Sequence, residues 1–225
     1  MFKLFLPYDV FERHKKVGSF IEKDQSVVDI GGELNHLSQF CSPRKIFVAN
    51  LTSGDIIISK NKLPFASDSF DVACSIDVLE HIANNKRRDF IDNLAKIASK
   101  RIILSFPIGT EKHISYEKRM QKLLLKKGES IKYLNEHIRY GLPTKQDIEI
   151  LTDGYARKII YSGDIKINEI LFRLFIYDPK VKVLRKIIYI LKMLFNLASN
   201  ELFYNLLSNK NFSIWVNRAY VIIDR

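Results

Sequence analysis

Short runs of β-branched and apolar residues alternate along the first half of the chain with stretches in which apolar positions recur every three or four residues. Residues 8–22 have helical spacing and lead into a β-branched run at 26–30, stopped by Gly31-Gly32, which reads as a buried strand. Leu34, Leu37 and Phe40 then fall at helical spacing, and Ser42-Pro43 ends the helix they predict. Further strands are predicted at 45–50, at 55–59, at 70–76 and at 101–106, the last stopped by Pro107. Between the last two, Phe90, Ile91, Leu94, Ile97 and Ala98 mark a helix over 85–99. Strands and helices alternating at this spacing predict βαβ units and a mostly parallel sheet.

The second half is more helical. Residues 111–153 are basic and mostly helical, and strands are expected at 155–161 and 214–223. Between those strands lies a helical insertion, 165–210. In it Lys182, Arg185, Lys186, Lys192 and Asn196 share one helical face, while Val183, Leu184, Ile187, Ile188, Leu191, Leu194, Phe195 and Ala198 fill the other. Such a helix serves as a substrate lid, a dimer surface or a membrane-surface helix. The expectation is a lid whose apolar side packs on the sheet, with peripheral membrane contact through 181–198 as the alternative.

Composition narrows the picture. A chain of 225 residues, 47% hydrophobic and 27% charged, suits one globular domain over 1–225 with the insertion as an elaboration. The formal charge of +11 fits either an anionic partner or a surface on which Lys is simply the commonest residue. Nucleic acid is disfavoured, because aromatic residues occur without a recognisable RNA-binding string. Cys41 and Cys74 lie far apart with no metal-type spacing, so neither a disulfide framework nor a cysteine metal site is expected and a reducing cytoplasm is the default. Residues 1–7 are too short for a signal-peptide core, and no apolar run approaches the ~20 residues that span a bilayer.

Candidate chemistry begins at Val28-Asp29-Ile30-Gly31-Gly32-Glu33. In an open α/β sheet ligands bind beyond the carboxyl ends of the strands where strand order reverses, so the first strand-to-helix turn is where a nucleotide-like cofactor lies. Glycines there let backbone approach a ligand, and Asp29 either binds a cationic amino group or holds the turn. Further on, residues 63–71, LPFASDSFD, are followed by Ser75-Ile76-Asp77-Val78-Leu79-Glu80-His81-Ile82. Together with the glycine turn and the strand ending at Pro107, this string resembles the type 11 family of class I S-adenosylmethionine-dependent methyltransferases. The resemblance is close over 26–108 and looser through Glu136-His137-Ile138-Arg139-Tyr140-Gly141-Leu142-Pro143.

That resemblance implies a doubly wound, Rossmann-like α/β fold, seven-stranded and mostly parallel, with the last strand antiparallel and the helical insertion before it. It implies S-adenosylmethionine as cofactor, its methionine part over Asp29, Gly31, Gly32 and Glu33, with Ser75, Ile76 and Asp77 beside it and Asn50-Leu51 toward the ribose. Three features depart from the family pattern: Asn50 replaces the usual carboxylate, Ser59-Lys60 stand where an acidic residue near the adenine is favoured, and Glu33-Leu34-Asn35 occupies the place of the third glycine. Three roles stand for Asp77, Glu80 and His81: packing beneath the cofactor, His81 as a general base, or, with His113 or His137, a divalent metal shell. No resident metal is expected. Glu80, His113, His137 and Arg139 are assigned to the substrate wall.

Two function classes follow. One, which the intact Asp29-Gly31-Gly32 and Asp77-to-His81 strings favour and which is the expectation, is an enzyme that transfers methyl to an O, N or C nucleophile of a small-molecule, lipid or glycan-like substrate, with an unknown oligomeric state. The other, which the departures favour, is a non-catalytic module of the same fold that binds a membrane surface or a protein through its basic insertion.

Overall fold

A computed structural model of the chain describes residues 3–59 and 63–225, excluding the Leu4 side chain. Seven strands form one sheet: β1 (Ser26–Ile30), β2 (Lys45–Asn50), β3 (Ile56–Ile57), β4 (Phe70–Ile76), β5 (Ala98–Pro107), β6 (Arg157–Ser162) and β7 (Arg218–Asp224). Their spatial order is β3-β2-β1-β4-β5-β7-β6. The pairs among β1 to β5 are parallel, and β7 runs antiparallel to both β5 and β6. The chain winds outward from β1 to β3, then returns to place β4 on the other side of β1. Strand order therefore reverses between β1 and β4, which opens a crevice at their carboxyl ends.

Helices cover both faces, so the strands read as continuous apolar runs rather than as alternating ones. The helices are α1 (Tyr8–Gly18), α2 (Arg87–Ile97), α3 (Glu111–Lys126), α4 (Lys132–Tyr140), α5 (Lys145–Leu151), α6 (Ile165–Phe175) and α7 (Lys182–Leu207). Successive residues of β5 and β7 go to opposite sides. Ile102, Leu104, Val221 and Ile223 join Ile91 and Leu94 of α2 on one face, while Ile103, Tyr220 and Ile222 join Val17 of α1 on the other. Cys74 is buried in that second cluster.

Two expectations are corrected. The helix predicted after the glycine turn is only a 3-10 turn at Leu37–Gln39. Asn35 takes a left-handed φ of 65°, which an α-helix does not tolerate, so Leu34 is left exposed and only Leu37 reaches the core. The faces of α7 are also not those of the sequence pattern. Lys192 and Asn196 point inward: Lys192 Nζ donates to Phe175 O (2.8 Å) and Tyr177 O (2.7 Å), and Asn196 Nδ2 donates to Phe5 O (3.1 Å). Asn200, also on this face, donates to Leu6 O at 2.9 Å. The apolar residues expected on the sheet are instead exposed, Leu184 at 41% and Leu191 at 54% among them. The helix packs across α1 and the N-terminal segment, where the carbonyls of Phe5 and Leu6 select amides over leucines, while Lys192 serves carbonyls at and just beyond the end of α6.

Candidate functional site

The crevice opens into a cleft of about 870 Å³, within the range that holds small molecules and cofactors. Its floor is the turn after β1 and the segment after β4; its walls come from α1, α3, α4, α6 and α7. At the β1 end the glycines are required by space. A Cβ on Gly31, which has φ +84°, would lie 2.3 Å from Val78 Cγ2, and one on Gly32 would lie 2.0 Å from Asp29 Oδ2. Asp29 is therefore under the turn rather than in the cleft. It is fully buried, neither carboxylate oxygen has a hydrogen-bond partner, and burial pushes its pKa up to about 7.

Asn50 at the end of β2 is turned onto the same glycines. Its Nδ2 donates to Gly31 O (3.2 Å) and Gly32 O (2.8 Å), and its Oδ1 accepts from Leu51 N–H (2.6 Å). A carboxylate has no protons to make the first two bonds, which gives the departure from the family pattern a local reason. Leu51 is exposed and does not line the cleft, whereas Glu33 and Ile76 do. Ser75 Oγ donates to Ile30 O at 3.0 Å and ties β4 to β1 just below the floor. Ser59 is exposed, and Lys60 lies outside the described residues.

Asp77 follows β4 with a left-handed φ of 54°, its N–H held by Ser105 O at 2.8 Å. Its carboxylate meets two arginines that sequence reasoning did not single out, Arg13 of α1 at 2.7 Å and Arg218 of β7. Burial alone would raise this carboxyl, but the two guanidinium groups hold it well below the ordinary aspartate range. Arg218 also donates to Ser105 Oγ (3.1 Å) and stands 3.7 Å from the buried Glu12. Asp77 is thus the hinge of an ion-pair network joining β4, α1 and β7.

The 3-10 turn Leu79–His81 presents Glu80 and His81 to the helical wall. Glu80 is 1% exposed, and burial followed by the charge of Asp77 raises its carboxyl well above the usual range. His137 of α4 directs Nε2 toward Glu80 Oε1 at 3.9 Å, while its Nδ1 lies 2.7 Å from Glu117 Oε1 on α3. His81 Nδ1 is 2.8 Å from Glu136 Oε2, and its ring centroid is 5.0 Å from that of His137. Burial, then the neighbouring His137, lowers the pKa of His81. His113 is buried with Nδ1 2.8 Å from Ile108 O, and burial lowers its pKa as well.

One buried side chain joins the two family-like strings. The Arg87 Nε donates to Leu79 O (3.1 Å) and Ile82 O (3.0 Å), and its Nη2 donates to Gly141 O and to Tyr140 O (3.4 Å). It staples the turn carrying Glu80 and His81 to the end of the helix carrying His137. Arg139 requires a correction. Two helical residues beyond His137 it lies on the opposite side of α4, exposed and stacked over Tyr140 at 5.5 Å, and it does not line the cleft. Glu117 was overlooked, although its signal was in reach: His113, Tyr116, Glu117, Met120 and Leu124 follow the i, i+3, i+4, i+7 pattern of one buried helix face.

No protein-family model matches the chain, and no curated protein matches it. Solved structures do match. A Thermotoga maritima protein described as a SAM-dependent methyltransferase, possible histamine N-methyltransferase, aligns over 98% of this chain and 92% of its own at 12% identity, with a TM-score of 0.57. Phosphoethanolamine N-methyltransferase 2 of Haemonchus contortus, solved with S-adenosyl-L-methionine, gives a TM-score of 0.53 at 14% identity. That alignment covers 93% of this chain but only 50% of the nematode protein. The plantazolicin methyltransferase BpumL, solved with S-adenosylhomocysteine, gives 0.51 at 13% identity over 97% of this chain and 85% of that one. The chain therefore has the class I S-adenosylmethionine-dependent methyltransferase fold. Among the described residues no helix is long and apolar enough to cross a membrane.

Proposed function

We propose that this chain binds S-adenosylmethionine at the β1 turn and directs methyl transfer to a small-molecule acceptor held against α3, α4 and α6. The observation that carries this reading is the sharing of one cleft by the Gly31-Gly32 turn and the Glu80/His81/His137 cluster. The turn fits the cofactor: Gly31 and Gly32 line the cleft as bare backbone, and Asp29 beneath them is a buried carboxyl without a partner. When bound, the cofactor supplies a sulfonium-activated methyl group for in-line displacement.

The chain's own residues then have three tasks. The Gly31-Gly32 backbone and the Ser75-Asp77 segment define where the donor lies. The Glu80/His81/His137 cluster, with His137 Nδ1 held by Glu117, faces the acceptor and orients it beside the donor. Leu171, Phe172 and Phe175 of α6, with Phe195 of α7, give the far wall an apolar surface that excludes water and favours an acceptor with an apolar portion, such as a lipid-like one. Calorimetric titration with S-adenosylmethionine and S-adenosylhomocysteine tests the reading. Saturable binding abolished in folded Gly31→Val is the expected result; no binding of either ligand by folded protein refutes it.

A second reading concerns the insertion. The first turns of α7 expose Val183 (68%), Leu184 (41%) and Ile187 (48%) beside Lys182, Arg185 and Lys186, the mixture that binds an anionic lipid surface. Flotation with anionic vesicles, lost in a Leu184→Glu, Ile187→Glu variant, supports it. A concentration-dependent dimer without flotation assigns the face to a second copy instead.

A further inference from the structure

We infer that Glu80, His81 and His137 form a binding site for a divalent transition-metal ion, with open coordination positions facing the acceptor side of the cleft. One ligand atom from each of the three residues lies within 4.8 Å of the other two. The three come from two separate elements, the turn after β4 and helix α4, so the convergence is tertiary and not a product of local charge clustering.

Burial sharpens the argument. Glu80 is 1% exposed and its Oε2 has no hydrogen-bond partner; His137 is 7% exposed and its Nε2 has none either. Buried polar atoms without a partner are rare in native interiors, and here two of them belong to one cluster. The nearby cations do not serve them, because Arg13 and Arg218 are taken up by Asp77. Each imidazole is also held from outside by a carboxylate, His137 by Glu117 at 2.7 Å and His81 by Glu136 at 2.8 Å. A carboxylate on the far nitrogen is the usual support of a metal-binding histidine, since it fixes the ring and raises its basicity.

The donor set defines the ion. Two imidazoles and one carboxylate suit manganese, iron(II), cobalt or zinc better than magnesium or calcium, which prefer all-oxygen shells. Three protein ligands leave further positions open, and His81, 27% exposed on the cleft side, marks where they face. An acceptor that offers an oxygen, such as a hydroxyl or a carboxylate, is the class such a site would orient. The metal site itself does not depend on the methyl-transfer reading.

The test is metal binding by the full chain, measured without any turnover. After dialysis against EDTA, the protein is titrated with cobalt(II) and followed by visible absorption, and bound manganese and zinc are counted by mass spectrometry. One equivalent is expected, with affinity falling at least about ten-fold in Glu80→Gln and in His137→Gln, and by a comparable factor in Glu117→Gln. His36→Gln, a half-exposed histidine outside the cluster, leaves it unchanged. Bound metal should raise the melting temperature of the wild type but not of the Glu80→Gln, His137→Gln double variant. No stoichiometric binding overturns the proposal, as does binding that survives in the double variant when circular dichroism shows it folded. S-adenosylhomocysteine binding to the same EDTA-treated protein separates the two ideas: if it persists while metal fails to bind, the cofactor reading stands and the metal site falls.

Discussion

Replacing Arg87 by methionine removes every donor of the staple while keeping a side chain of similar length. The guanidinium is 2% exposed and serves the carbonyls of Leu79, Ile82, Tyr140 and Gly141. The single Nε proton is shared between Leu79 O and Ile82 O, so those contacts count as one bifurcated bond; Nη2 bonds Gly141 O fully, and the Tyr140 contact at 3.4 Å is weak. Leaving a buried carbonyl without its donor costs about 1–3 kcal/mol. Against that, the variant escapes the cost of burying a charge, a cost visible in the lowered pKa of Arg87, where burial is the largest cause. The net expected loss is roughly 2–4 kcal/mol, since water reaches some of the freed carbonyls. In urea, with a slope of about 2–3 kcal/mol/M, the unfolding midpoint followed by circular dichroism should fall by about 1 M. Arg87→Lys, with its charge kept but its reach divided among fewer carbonyls, should lie between. The site adds a second readout. Loosening the 79–82 turn from the end of α4 separates Glu80 and His81 from His137, so metal affinity should fall while S-adenosylhomocysteine affinity stays near that of the wild type. A midpoint shift below about 0.3 M would show that the staple bears little of the load and would refute this reasoning.

Other outcomes follow from single contacts. Asn50→Asp removes two donor bonds to Gly31 O and Gly32 O and places a carboxylate against carbonyl oxygens. Stability in urea should drop by about 1–2 kcal/mol, while S-adenosylhomocysteine binding in calorimetry should tighten as the freed carboxylate meets the ribose; an unchanged midpoint contradicts the assignment. Asp77→Asn keeps a residue type that accepts the left-handed φ of 54°, so it tests charge alone. With Arg218 left facing only Glu12 at 3.7 Å, a loss of about 2–4 kcal/mol is expected, and a neutral result would mean that the network carries no stability. His14 is buried, and burial followed by the nearby Arg13 lowers its pKa to about 3. The unfolded chain, with an imidazole pKa near 6.5, binds this proton and the folded one does not. Its contribution is therefore whole above about pH 7 and is lost on acidification toward pH 3 at about 1.4 kcal/mol per unit. His14→Gln should flatten the fall of the urea midpoint between pH 7 and pH 5, and an unaltered slope would exclude His14 as its source.

Much of the frame was legible along the chain. β1, β2 and β4 occupy the positions their β-branched runs indicate, and the glycine turn lies at the switch point where such turns bind ligands. Both properties are local: a run buried on both faces must be apolar throughout, and a turn crowded by Val78 and Asp29 must lack a Cβ. The Asp-x-x-Glu-His string was legible too, but as a set of residue types whose roles stayed open.

What only the tertiary structure decided was which polar group meets which. The pairing of Asp77 with Arg13 and Arg218 joins three elements that become neighbours only after the sheet has assembled. Glu117 becomes the support of His137 because α3 and α4 cross at that turn, and nothing in the spacing between them encodes the crossing. The faces of α7 were misjudged for the same reason. Hydrophobic periodicity ranks residues by their own affinity for water, whereas the surface α7 meets offers unpaired carbonyls at Phe5, Leu6, Phe175 and Tyr177. Lys192, Asn196 and Asn200 turn toward these acceptors, while Leu184 stays exposed and Phe195 lines the cleft. The periodic pattern of the sequence determines the sheet and its turns because those depend on each residue's own character. The site depends on partners brought together across the chain, and the assembled fold selects them.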